Sequence, residues 1–197
     1  MNDTNRDISK MSAWKLVYLL RGFLVAVPLV FATFWFRGQT ENAYIWPVGL
    51  CVFFIGMAIR VWAQQHLRYR LKVHKDLTLA GPYQFVRNPV YVGTIIIFLG
   101  MTILFKLLWL VPITLVWSAA VYSFVVHYEE MHLLARYGEP YQKFMSDIPR
   151  WIPRSLHLKN LGLKNENFTA SVIAELHCLL YLLPCILKQA MSIWFKH

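Results

Sequence analysis

The sequence predicts an all-α polytopic integral membrane protein with four transmembrane helices, two of them in a tight hairpin, plus a C-terminal amphipathic or fifth membrane helix. Three observations carry this. The 197 residues are 57% hydrophobic and only 15% charged, whereas soluble domains carry about 25% charged residues. Apolar runs of spanning length recur with polar breaks between them. The formal net charge of +10 is concentrated in those breaks, as orientation by cytoplasmic positive charge and attraction to anionic headgroups require. That placement argues against nucleic acid as the partner and for membrane lipids.

The polar opening "MNDTNRDISKMSA" is followed by an apolar run, Trp14 to Phe36, interrupted by Arg21, Gly22 and Pro28. It is too long for the hydrophobic region of a cleaved signal and reads as a first span. "RGQTEN" makes a short turn, and a second span runs from about Tyr44 to Ala63 with Arg60 in its last turns. The following loop carries Arg68, Arg70, Lys72, Lys75 and Arg87. Val90 to Phe105 and the run ending at Val126 are separated by little more than Lys106, which predicts an antiparallel helical hairpin. Glu129 to Lys164 is polar and basic. With the N-terminus and both basic segments on one side, that side is expected to be the cytoplasm.

In the last segment, Val172, Ile173, Leu176, Leu179, Leu180, Leu183, Leu187 and Trp194 share one stripe, opposite Glu175, Tyr181, Lys188, Gln189 and Ser192. This favours a helix lying in the interface, or packed on a partner and so offering a route to self-association, over a fifth span. Pro184 should kink it. The chain is expected to form a single domain: 1–63 as the first two spans, 64–164 as the core with the hairpin, and 165–197 as the C-terminal helix.

Two stretches stand out chemically. In "GPYQFVRNPVYVG", Gly81-Pro82 marks a rigid turn and Pro89 suits the first position of a helix. The helix N-terminus and Arg87 would favour an anion there. The alternative is an interfacial anchor with Tyr83, Phe85 and Tyr91 as belt aromatics. In "HYEEMHLLARYGEPYQKFMSDIPRWIP", Glu129 and Glu130 stand at the end of a membrane helix, where acids are costly and usually functional. A tight hairpin would bring Arg87, Asn88 and Tyr91 near Glu129, and Gly138 should cap the helix. Cys51, Cys178 and Cys185 read as small apolar residues and not as disulfides. His127 and His132 lack the spacing of a zinc-binding helix, and no metal is expected.

Together these elements resemble the isoprenylcysteine carboxyl methyltransferase and phospholipid methyltransferase superfamily, over roughly residues 56–153. Its pattern is Gly-x-Tyr, an Arg-His-Pro-x-Tyr hinge, and a later Glu-Glu followed by Phe/Tyr-Gly-x-x-Tyr. The resemblance implies S-adenosyl-L-methionine in a cytosol-facing pocket and a lipophilic or lipidated substrate arriving from the membrane. It implies that Lys75, Asp76, Leu77, Thr78, Tyr83, Asn88, Pro89, Val90, Tyr91 and Glu129 line the cofactor, with Arg87 and Glu129 as the catalytic candidates. Asn88 replaces the family's histidine, so it can hydrogen-bond but cannot do acid–base work. Val125 replaces the arginine that holds substrate in the prenylcysteine enzymes, leaving Arg60 or Arg21 to substitute. The expected activity is methylation of the isoprenylcysteine carboxyl type. The alternatives are N-methylation of a phospholipid or amine lipid, and an NADPH-dependent sterol-type membrane reductase. A non-enzymatic membrane subunit that kept the fold is a further rival.

Overall fold

The computed structural model describes the backbone of residues 3–35, 42–73, 77–154 and 161–194, with side chains for these except 3–13, 32–33, 68–73 and 192–193. The described residues form helices α1 (Asp3–Trp35), α2 (Ile45–Val73), α3 (Pro89–Leu104), α4 (Val111–Tyr137), α5 (Glu139–Asp147), α6 (Phe168–Glu175) and α7 (Leu183–Trp194), with three short 3-10 segments and no strand. Trp14–Phe31, Ile45–Leu67, Leu108–Tyr137 and Phe168–Met191 are long and apolar enough to cross a membrane. Leu16, Leu19, Phe23, Val116 and Phe124 point outward, as lipid-facing side chains should. The chain is a polytopic membrane protein.

α3 is the central helix. At 16 residues it is about 24 Å long, short for a span on its own. Ten of its residues are nonetheless buried, because neighbours surround it on nearly every side. Its closest partner is the antiparallel α2. A Cβ on Gly56 would sit 2.7 Å from the Gly93 carbonyl oxygen, and one on Gly100 would sit 2.7 Å from the Phe53 nitrogen. Gly49 and Gly56, like Gly93 and Gly100, are seven apart, so each helix presents a smooth strip on which the backbones touch. This seam is legible in the sequence once small residues are sought at that spacing. The hairpin into α4 does turn at Lys106, which adopts the left-handed φ of 61°, and its N–H donates to the Ile103 carbonyl at 2.8 Å.

α4 ends where expected. Gly138 takes φ 60° and donates its N–H to the Leu134 carbonyl at 2.9 Å, and α5 begins at the next residue. α1 packs antiparallel to α4: the Trp14 ring lies tilted against those of His127 and Phe124, and the Trp117 indole donates to the Leu24 carbonyl.

The C-terminal segment decides between its two alternatives. At one end, fully buried Gln65 donates its amide to the carbonyls of Gly162 and Leu163 and accepts from the Asn165 N–H. Midway, Glu175 meets Arg60 of α2. At the other end, Lys188 donates to the Phe105 carbonyl at the hairpin turn. The segment therefore runs the full height of α2 and α3 and reads as a fifth membrane helix, not an interfacial one. Its polar stripe, Ser171, Glu175, Cys178 and Cys185, faces the bundle, while Ile173, Leu176, Leu180, Leu183 and Leu187 face out. The apolar stripe expected from the sequence is the face turned to lipid, and the polar stripe packs on the bundle. The Pro184 ring would clash with the carbonyl of residue 180, and the turn before it, Leu176–Leu182, tightens to 3-10 geometry.

Candidate functional site

A cavity of about 830 Å³ opens where α1, α2, α3, α4 and α5 converge, within the ~300–1,000 Å³ usual for small-molecule sites. Each helix contributes one face. Val90, Tyr91, Thr94 and Phe98 recur at helical spacing on α3, as do Tyr122, Glu129 and Leu133 on α4.

The hinge sets one wall. Gly81 holds φ 64°, and a Cβ there would lie 2.3 Å from the His66 imidazole, so the turn tolerates glycine alone. A 3-10 turn runs over Gly81–Gln84, and the Pro82 carbonyl accepts from the N–H groups of Phe85 and Val86. Asn88 caps α3 with Pro89 at its first position. The Arg87 N–H donates to the Pro149 carbonyl at 2.9 Å, so the "IPRWIP" stretch braces the hinge from outside. The α3 N-terminus offers an anion little: Pro89 has no N–H, and that of Tyr91 is taken by the Asn88 carbonyl.

The two adjacent acids have separate surroundings. Glu129 faces the cavity and accepts the Tyr91 hydroxyl at 2.7 Å. Glu130 turns into the protein, where Arg150 donates to its carboxylate and Arg87 approaches to 3.3 Å. Arg87 is 11% exposed, so it is not a surface charge, and although it lines the same cavity as Glu129 its ion-pair partner is the other acid. Its carboxylate is the adjacent Glu130. Beside this cluster, burial, with Glu130's charge adding to it, pushes the Tyr141 phenol up to about 12.

Of the expected cofactor-lining residues, Leu77, Thr78, Tyr83, Asn88, Val90, Tyr91 and Glu129 all line the cavity, as does Arg87. Pro89 is buried behind it, and Lys75 and Asp76 lie outside the described residues. The Asn88 side-chain nitrogen is buried with no hydrogen-bond partner, so the site holds an unspent donor. Sequence reasoning missed Tyr18 and Gly22 on α1, His132, Tyr141 and Phe144 below Glu129, and Tyr181 from the C-terminal segment. The break that Arg21 and Gly22 make in an apolar run was the available signal for α1. Arg60, one of two proposed substitutes for the missing arginine, is committed: its Nε lies 2.7 Å from Glu175 Oε2, and it also donates to the Thr94 hydroxyl.

No curated protein and no solved structure gives a significant match to the chain. A family model does: phospholipid methyltransferase matches residues 44–140, which include the hinge, α2–α4 and both acids. That match makes residues 44–140, with the hinge and Glu129 that line the cavity, similar to the phospholipid methyltransferase family, part of the isoprenylcysteine and phospholipid methyltransferase superfamily.

Proposed function

We propose that the chain transfers a methyl group from S-adenosyl-L-methionine to a lipophilic acceptor. The observation that carries this is Glu129, a carboxylate on the wall of a partly open cavity, held by Tyr91 and facing no cation at ion-pair distance among the described residues. It suits the ammonium of the cofactor's amino-acid part. The unspent Asn88 amide suits the neighbouring carboxylate, and Tyr83, Tyr141 and Phe144 offer aromatic surface for the adenosine and the cation. The donor set therefore fits.

When bound, the cofactor supplies a methyl group on a sulfonium that is its own leaving group. The chain's residues need only hold, orient and dry the site. Glu129 fixes one end, the braced hinge keeps Asn88 and Tyr91 in register, and Phe98 and Tyr122 exclude water at the inner end. A carboxylate acceptor needs no base, and an amine must only arrive deprotonated. With the arginine of the prenylcysteine enzymes replaced by fully buried Val125, an amine-bearing phospholipid stands beside the isoprenylcysteine type as acceptor, and the family description supports it. The basic segments support a cytoplasmic N-terminus and cofactor site. Because Tyr18, Arg21 and Tyr181 share the cavity, the whole chain is proposed to act as one catalytic unit.

Calorimetry on detergent-purified protein tests this. Binding of S-adenosylhomocysteine without binding of NADPH is the expected result. NADPH binding alone would move the chain to the reductases, and no binding of either would leave a non-enzymatic subunit.

A further inference from the structure

We infer that Arg21 is the anchor for an anionic group, a carboxylate or phosphate, on the acceptor. This rests on the methyltransferase reading and adds to it how the acceptor is held. Arg21 lies in the apolar window of α1, seven residues inside Trp14, about 10 Å along the helix. Ionisable residues at such depth are rare and face the bundle or a polar cavity. Arg21 lines the cavity. Its guanidinium stacks 4.3 Å over the Tyr18 ring and gives one of five N–H donors to the Tyr18 carbonyl at 2.6 Å. Among the described residues no carboxylate lies at ion-pair distance from it.

The contrast with Arg60 decides the assignment. Both arginines belong to membrane-spanning helices and both reach the same cavity, but Arg60 is neutralised by Glu175 in a two-point pair. Among the described residues of the cavity wall, Arg21 on α1 is a cation and Glu129 on α4 an acid with no partner at ion-pair distance. An amphiphile whose chain lies in the membrane and whose anion meets Arg21 would be held with its head toward the cofactor's place beside Glu129. An arginine is the residue suited to this, since its planar fork binds carboxylate and phosphate at two points.

The test uses full-length protein in detergent with four probes: S-farnesyl-N-acetylcysteine and lysophosphatidate, and their neutral counterparts farnesol and monoacylglycerol. The wild type is expected to prefer at least one anionic probe over its neutral counterpart by about tenfold, the scale of one charge-assisted contact. Which anionic probe is preferred separates the carboxylate from the phosphate source. Arg21→Ala is expected to abolish the preference and Arg21→Lys to retain part of it. Melting temperature verifies folding, and Arg21→Gln replaces the alanine variant should that one not fold. Equal binding of anionic and neutral probes, or a preference that survives loss of the charge, overturns the inference. S-adenosylhomocysteine affinity, measured on the same samples, reads the functional proposal separately. If it is absent while the Arg21-dependent preference persists, the cofactor assignment fails and the anion site stands.

Discussion

Arg60 and Glu175 stand 115 residues apart in sequence and 2.7 Å apart in the bundle, and they tie α2 to the C-terminal segment within the membrane-spanning zone. Glu175 is 2% exposed, so no water replaces a lost partner. Glu175→Leu should destabilise by about 3–5 kcal/mol, because it leaves the guanidinium unpaired. The double variant Arg60→Met, Glu175→Leu should recover much of that loss. Unfolding in mixed detergent, followed by tryptophan fluorescence, checks both. Equal stability of the single and double variants would show that the pair is not coupled.

The neighbouring acids should separate by what they disturb. Glu129→Gln should weaken S-adenosylhomocysteine binding by about 2–4 kcal/mol, a factor of about 30 to 700, with little change in melting. Glu130→Gln should instead lower the melting temperature, since it abandons Arg87 and Arg150 in a buried site. A small and equal loss of affinity in both variants would remove Glu129 from the cofactor.

The hinge gives a third expectation. Asn88→His should retain binding, because an imidazole can donate where the amide now does. Pro89→Ala should keep the fold and loosen the pocket as the fixed dihedral is freed. Arg87→Ala should melt early, since the residue is a buried partner of Glu130. An Arg87→Ala protein of unchanged stability would contradict its structural role.

The glycine seam predicts a steric effect. Gly56→Leu should cost about 1–3 kcal/mol or more by forcing α2 and α3 apart, since even its Cβ meets the Gly93 carbonyl oxygen at 2.7 Å. Gly22→Leu, where a Cβ meets nothing within 4 Å, is the control. Similar melting of the two variants would argue against close backbone packing.

Tyr141 predicts a pH dependence. Its phenol is raised from 10 to about 12, mainly by burial, so the folded state holds the proton more tightly than the unfolded one. The contribution is complete below pH 10 and is lost as pH rises from 10 toward 12. Tyr141→Phe should flatten the fall in melting temperature across that window. An unchanged slope would mean that the phenol does not titrate with unfolding.

What the sequence determined alone is local or one-dimensional. Span positions follow from apolar run length. The Pro89 helix start and the Gly138 cap follow from dihedral limits that act over one or two residues. Most of the cavity-lining stretch from Leu77 to Tyr91 was legible because it is contiguous. Tertiary structure decided the rest, because partners are chosen by helix rotation and by which solvent lies outside. The sequence could not say that Glu129 faces a cavity while Glu130, 100° around the same helix, meets Arg87 and Arg150. It also could not divide the arginines, since Arg60 finds Glu175 only when the C-terminal segment packs on α2. The apolar stripe of that segment was visible, but not that its polar face packs along α2 and α3: hydrocarbon receives the apolar face, and the costly polar groups are driven into the bundle, where they find partners.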